Sequence, residues 1–179
     1  MTNTVELIQY PIGEFVSPEV ISDEEVEEFI AVIKNFPGKL KNEIEFFTED
    51  HFDTQYRPGG WTVRQLINHL ADSHMNAFLR LKLALTEENP TIKPYDEKKF
   101  AELQDSINNP VKYSLQILDG LHKRWYNVLR TMTNKQFDRT FYHPENKISY
   151  GLRSHLAYYA WHCNHHFKHI QNLKKFYNW

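Results

Sequence analysis

The segment from Trp161 to Ile170 (WHCNHHFKHI) could do metal chemistry, because it holds four of the chain's ten histidines. Its residues predict a helix, on which His162 and His166 lie four positions apart and project from one face. Two imidazoles with this spacing can bind one ion, and imidazole nitrogen suits zinc, nickel and related divalent metals. His165 and His169 share the spacing, so spacing alone leaves two possible pairs.

A second predicted helix offers a third ligand. Its residues His69, Ser73, Asn76 and Arg80 lie on one stripe bordered by leucines, which indicates the wall of a cavity. His69 would complete a site of three histidines with an open position for water. Asp72, beside the stripe, is the nearest candidate for a general base, and Arg80 is a candidate for binding an anionic substrate group.

These residues also have purely structural interpretations. A buried histidine can simply be a core residue that is hydrogen-bonded to tyrosine or to the backbone. Arg80 can equally be an exposed helix arginine. Cys163, the only cysteine, is better explained as a small buried residue than as a ligand or nucleophile.

The other histidines are expected to play smaller parts. His165 lies toward the edge of the helix face, and His169 lies on the face, where it could orient a ligand or line the pocket. The positions expected outside the site, on another helix face, in loops or at the surface, are His74, His51, His122 and His143.

Long helices must position these side chains. Ser22 and Glu25 form a capping box that starts a helix to about residue 35. Pro37 and Gly38 interrupt the pattern there, so we expect a kinked or a restarted helix up to about residue 48. A second capping box, Thr62 with Gln65 three residues on, predicts a helix over residues 63–86.

The rest of the chain supplies two more long helices. Asn109-Pro110 predicts the start of a third, to about residue 131, and Ser149 or Tyr150 the start of the last, to about residue 175. Residues 89–108 read as a connection with a short helix near 97–103, and residues 137–149 as a hairpin or loop. Four helices of roughly twenty residues predict an all-α four-helix bundle. We expect a single domain over residues 1–179, with 1–21 as an extended arm.

Composition excludes several classes of function. Lys and Arg number 21 against 23 Asp and Glu, a net charge of −2, which does not favour nucleic-acid binding. No apolar run approaches the ~18 residues that a membrane helix needs. The N-terminal residues lack the features of a signal peptide, and one cysteine excludes an internal disulfide and a cysteine-based zinc site. We therefore expect a cytoplasmic protein that acts on a small molecule.

Four stretches of the chain also resemble a known family. The runs RPGGWTVRQLINHLADSHMNAFLRLKLALTE and YYAWHCNHHFKHI, with the arm YPIGEF and the connection PYDEKKFAEL, are similar to the YfiT-like branch of the DinB-like superfamily. That branch comprises small bacterial proteins described as metal-dependent hydrolases, and its relatives include bacillithiol transferases. The resemblance covers the whole chain.

The resemblance implies a four-helix bundle in which three histidines hold one divalent ion per chain. The family's ligands correspond here to His69, His162 and His166, with zinc as the first expectation and nickel as the alternative. It also implies a homodimer in the cytoplasm. Many relatives have glutamine at the position of His169, so this chain departs from the family pattern there.

Three functions follow as hypotheses. The first is metal-assisted hydrolysis, with the ion activating water. The second is thiol transfer, in which the ion lowers the pKa of a small thiol such as bacillithiol. The third is a non-enzymatic bundle whose ion is mainly structural, with Cys163 or His169 as a fourth ligand.

Overall fold

The computed structural model describes residues 8–179, and this part of the chain folds as the expected all-α four-helix bundle. Its four long helices are α1 (Asp23–Glu43), α3 (Val63–Thr86), α6 (Lys112–Leu129) and α8 (Leu152–Tyr177). Four short helices lie between them: α2 (Glu49–Phe52), α4 (Glu97–Ala101), α5 (Gln104–Asn108) and α7 (Asn134–Phe137). Strands β1 (Thr140–His143) and β2 (Ile148–Gly151) form an antiparallel hairpin before α8.

Capping boxes fix the starts of α1 and α3. The Glu25 amide donates to Ser22 Oγ at 3.2 Å, and the Ser22 amide donates to the Glu25 carboxylate at 2.8 Å. Thr62 and Gln65 make the same reciprocal pair at 3.1 and 3.0 Å. These bonds satisfy amides that a helix start leaves free. The predicted bounds of α3 are confirmed.

Helix α1 runs through Pro37, so the expected restart of the helix is wrong, and the helix ends at Glu43 rather than near residue 48. Proline removes one helix hydrogen bond, here the bond to the carbonyl of Ile33. Ile33, Phe36 and Leu40 are all buried, so packing of this face keeps the helix continuous. The loss is also compensated, because the His122 side chain donates a hydrogen bond to the Ile33 carbonyl.

The four long helices enclose one hydrophobic core. Helix α1 packs on α6 and α8, and α3 packs on the same two helices from the other side. The starts of α6 and α8 come later than expected. Asn109 caps the end of α5 and Pro110 lies in the following turn, whereas β2 occupies Ser149 and Tyr150.

The described part of the N-terminal arm, residues 8–21, contains neither helix nor strand and lies against α8. Phe15 packs on Tyr158 and Trp161, with ring centroids 5.3 and 5.9 Å apart. The portion of the arm before residue 8 lies outside the described residues. Within the described chain, none of the helices is both long enough and apolar enough to cross a membrane.

Candidate metal centre

Helices α3 and α8 bring three histidine nitrogens together. The Nε2 atom of His162 lies 3.3 Å from Nε2 of His69 and 3.1 Å from Nε2 of His166. One ring nitrogen from each residue falls within 4.8 Å of the other two. The i, i+4 spacing on α8 supplies two of these atoms, and α3 supplies the third.

The donor set fits a divalent ion such as zinc. Two nitrogens that bind one zinc ion at about 2.1 Å with a near-tetrahedral angle lie about 3.4 Å apart. The observed separations of 3.1 and 3.3 Å are close to this value. Among residues 8–179, no fourth histidine, cysteine or carboxylate joins the group, so its donor set is that of an open site.

Burial keeps the three rings uncharged. His69, His162 and His166 are each at most 7% exposed. Desolvation lowers the pKa of His69 to about 4, and it holds the pKa values of His162 and His166 well below the ordinary value. Neutral imidazole is the form that binds a metal, so the rings need not lose a proton at neutral pH.

A cavity of about 670 Å³ opens onto the three histidines. Trp61 and Trp161 supply aromatic walls, Tyr10 and Phe15 come from the N-terminal arm, and Glu97 lies at the rim. Tyr159 instead faces the neighbouring cavity, and its hydroxyl lies 3.4 Å from that of Ser73.

Asp72 and Arg80 do not line this cavity. Asp72 is half-buried on α3, and desolvation, with Asp105 as the lesser cause, raises its pKa to about 6. Arg80 lines a second cavity of about 310 Å³, which shares Phe15 and Tyr158 with the first. Within residues 8–179 the Nε atom of Arg80 is buried without a hydrogen-bond partner.

The structure separates the two histidine pairs of α8. His165 and His169 form their own contact, with Nε2 atoms 3.2 Å apart, and they stand outside the three-histidine group. His165 is buried and lines the cavity, stacked on Trp161 with ring centroids 4.5 Å apart. Cys163 is fully buried, as expected, and burial raises its pKa.

Two histidines that were expected away from the site are connected to it. His74 is completely buried, and its Nε2 lies 3.2 Å from Nδ1 of His162. His122, expected in a loop or at the surface, is 1% exposed on α6 and lies 2.8 Å from His74. Helical spacing could not find these contacts, because each joins residues on different helices.

Known proteins resemble this chain in sequence. Residues 35–170 match the DinB superfamily. The chain is 49% identical over 172 residues to the "Putative metal-dependent hydrolase YfiT" of Bacillus subtilis, which covers 96% of this chain and 97% of that one. It is 50% identical over 171 residues to a protein of Oceanobacillus iheyensis with the same description, covering 96% and 98%.

A solved structure shares the whole architecture. It is described as "YfiT from Bacillus subtilis is a probable metal-dependent hydrolase with an unusual four-helix bundle topology". The match has a TM-score of 0.92 and 49% sequence identity, and it covers 95% of this chain and 97% of that one. Family match, sequence identity and fold agree, and the chain belongs to the DinB superfamily.

Proposed function

We propose that this protein is a metal-dependent hydrolase in which His69, His162 and His166 hold one divalent ion. The observation that carries the proposal is the convergence of their three Nε2 atoms at the wall of a cavity. The names of the relatives support it. Zinc is the first expectation and nickel the alternative, because imidazole binds both.

Such an ion, held by three neutral ligands, would supply a water molecule of lowered pKa and a Lewis acid for the substrate oxygen. The side chains of the cavity would bind the substrate and accept a proton. Trp61 and Trp161 provide an apolar surface for the substrate. Glu97 replaces Asp72 as the candidate proton acceptor, because it lines the same cavity as the three histidines, and desolvation raises its pKa although the side chain is exposed.

The second cavity suggests the charge of the substrate. Among the described residues Arg80 has no acidic partner, although a guanidinium normally pairs with a carboxylate or phosphate. Its cavity adjoins the histidine cavity at Phe15 and Tyr158. We therefore infer a small substrate whose anionic group extends toward Arg80.

Thiol transfer is the second candidate, and the size of the histidine cavity favours keeping it. A cavity of about 670 Å³ is in the range that holds a drug-sized ligand, so it can admit a small thiol beside an electrophile. The thiol would have to come from outside, because Cys163 is buried and its pKa is raised. A closed, purely structural ion is less well supported, since neither Cys163 nor His169 joins the three ligands.

The test begins with metal content. Untagged protein should carry about one ion per chain by elemental analysis, and His69→Ala and His166→Ala should each lose it. The loaded wild type is then assayed with neutral and anionic esters of one leaving group, and with bacillithiol plus a chromogenic electrophile. Hydrolysis with a preference for anionic esters is the expected result.

Other outcomes are equally informative. Metal retained by both alanine variants, after loading with zinc or nickel, would contradict the ligand assignment. A thiol conjugate without hydrolysis would select thiol transfer. The homodimer and the cytoplasmic location implied by the family resemblance remain predictions, and sedimentation of the metal-loaded protein tests the first.

A further inference from the structure

A chain of hydrogen-bonded imidazoles runs from the proposed metal site into the bundle. His162 Nδ1 lies 3.2 Å from His74 Nε2, and His74 Nδ1 lies 2.8 Å from His122 Nε2. His122 Nδ1 bonds to the backbone carbonyl of Ile33. The chain crosses from α8 through α3 and α6 to α1, and its two inner rings are at most 1% exposed.

The carbonyl fixes the direction of every bond in this chain. A carbonyl oxygen only accepts, so His122 must carry its proton on Nδ1. A neutral imidazole has one donor and one acceptor, which leaves His122 Nε2 to accept from His74 Nδ1. By the same step His74 Nε2 accepts from His162 Nδ1. His162 is then left with an unprotonated Nε2, the atom that faces His69 and His166.

Both inner rings are at most 1% exposed, and among the described residues neither forms an ion pair with a carboxylate. A charge on either ring would be buried without a counter-charge, which is costly, so the rings are neutral. Aromatic neighbours pack around His74, with the rings of Phe36 and Tyr159 at centroid distances of 5.6 Å. Both rings are therefore held uncharged and in place.

Pro37 explains why a helix carbonyl is available. In a helix without proline the Ile33 carbonyl would accept from the amide of residue 37, and proline has no such amide. A buried carbonyl without a partner is costly, so the Ile33–His122 bond serves both groups. The missing amide of Pro37 and the chain of histidines are therefore linked through the Ile33 carbonyl.

We propose that His74 and His122 are positioning residues that, starting from the Ile33 carbonyl, fix the tautomer and orientation of His162 for metal binding. The inference rests on the proposed function, since it takes His162 as a ligand. Partners of this kind hold a ligating ring in place, and their loss typically costs about 10- to 100-fold in metal affinity. Neither residue touches the cavity that would hold substrate.

Nitrogen-15 NMR of the histidine rings tests the chain without any substitution. In metal-free and zinc-loaded protein, His122, His74 and His162 should all carry the proton on Nδ1, and His162 Nε2 should shift on adding zinc. A proton on Nε2 of His74 or His122 in either form would overturn the proposal.

Zinc affinity, measured by competition with a chromogenic chelator, tests its consequence. In His74→Phe the ring shape stays but both hydrogen bonds are lost, so we expect affinity to fall about 10- to 100-fold. His74→Gln keeps one donor and one acceptor and should recover part of the loss. His155→Phe is the matched control, because His155 is a buried histidine bonded to the Ala77 carbonyl outside the chain, and its affinity should stay within about twofold.

The outcomes separate this inference from the proposed function. If wild type binds zinc and hydrolyses substrate while His74→Phe keeps wild-type affinity, the positioning role is wrong and the function stands. If His74→Phe lowers only the free energy of unfolding of the metal-free protein, the role is structural and the inference fails. If wild type binds no zinc, the function and the positioning role fail together, although the tautomer pattern still decides whether the chain exists.

Discussion

Two histidine pairs flank the proposed metal site, and they differ in what fixes them. The inner pair, His74 and His122, lies beneath His162 and ends on the carbonyl of Ile33. The outer pair, His165 and His169, lies on α8 beside the cavity, where its Nε2 atoms contact each other at 3.2 Å. Within residues 8–179, His165 Nδ1 has no hydrogen-bond partner.

The difference shows that burial alone does not give a histidine its role. Both pairs are nearly inaccessible, and burial lowers the pKa values of all four rings. The inner pair ends on the Ile33 carbonyl, which accepts from His122, and its hydrogen bonds continue to the proposed ligand His162. The outer pair makes no hydrogen bond to a proposed ligand: His165 lines the cavity, and the ring of His169 interacts with the backbone of Gln9.

The largest expected contrast is in zinc affinity when one member of each pair is replaced by phenylalanine. His74→Phe should weaken binding about 10- to 100-fold, as argued above. His165→Phe should change it less than about threefold, because His165 bonds to His169 and to no proposed ligand. Chelator competition at one pH measures both variants.

Zinc affinity reports on the inner pair, and substrate binding is the measurement that reports on the outer pair. Because His165 lines the cavity and stacks on Trp161, its replacement should alter KM for the hydrolysed substrate while zinc content stays at one ion per chain. Equal losses of zinc affinity in the two variants would remove the distinction between the pairs.

Acidification should protonate the inner pair and destabilise the fold. His122 contributes a measurable part of this pH dependence of the free energy of unfolding. The unfolded chain takes up a proton at His122 near its ordinary pKa of 6.5, whereas the folded protein resists until about 4. The unfolded state therefore binds more protons in this window, and the free energy of unfolding falls as pH decreases. One such group contributes about 1.4 kcal/mol per pH unit.

Urea unfolding of metal-free protein at several pH values from 6 to 4.5 tests this. In His122→Phe the pH dependence should be shallower by about 1.4 kcal/mol per unit, whatever the variant's absolute stability. His143→Phe, at a half-buried hairpin residue whose pKa desolvation also lowers, should reduce the slope less than His122→Phe does. Identical slopes in wild type and His122→Phe would show that His122 is not held neutral in the fold.

Local signals in the sequence were sufficient for most of the bundle. Helix α3 begins and ends where its capping box and apolar spacing predict, because these features act within one helix. The convergence of His69, His162 and His166 also follows from spacing on two helices and the family resemblance, and their role as metal ligands remains a prediction. The sequence also showed the outer pair, because His165 and His169 have the same four-residue spacing as His162 and His166.

The inner pair escaped prediction for a physical reason. A helix at the centre of a bundle is buried on more than one face, so His74 can lie far around α3 from His69 and still reach His162. The sequence rule that proline interrupts a helix also failed at Pro37, where tertiary packing and the His122 side chain compensate for the missing bond. Both errors concern contacts between helices, which no single segment encodes.

The smallest effect on zinc affinity is expected for a substitution at Pro37, which is linked to the inner pair through the Ile33 carbonyl. In Pro37→Ala the new amide can donate to the Ile33 carbonyl and compete with His122 for it. A carbonyl oxygen has two lone pairs, so the two bonds can coexist and zinc affinity should fall only about two- to fivefold. The His122 Nδ1 proton should move upfield in the same variant as its hydrogen bond weakens. If both signals match wild type, the second lone pair is sufficient and the proline is incidental to the inner pair; if the loss equals that of His74→Phe, the carbonyl must be fully free for the chain of imidazoles to form.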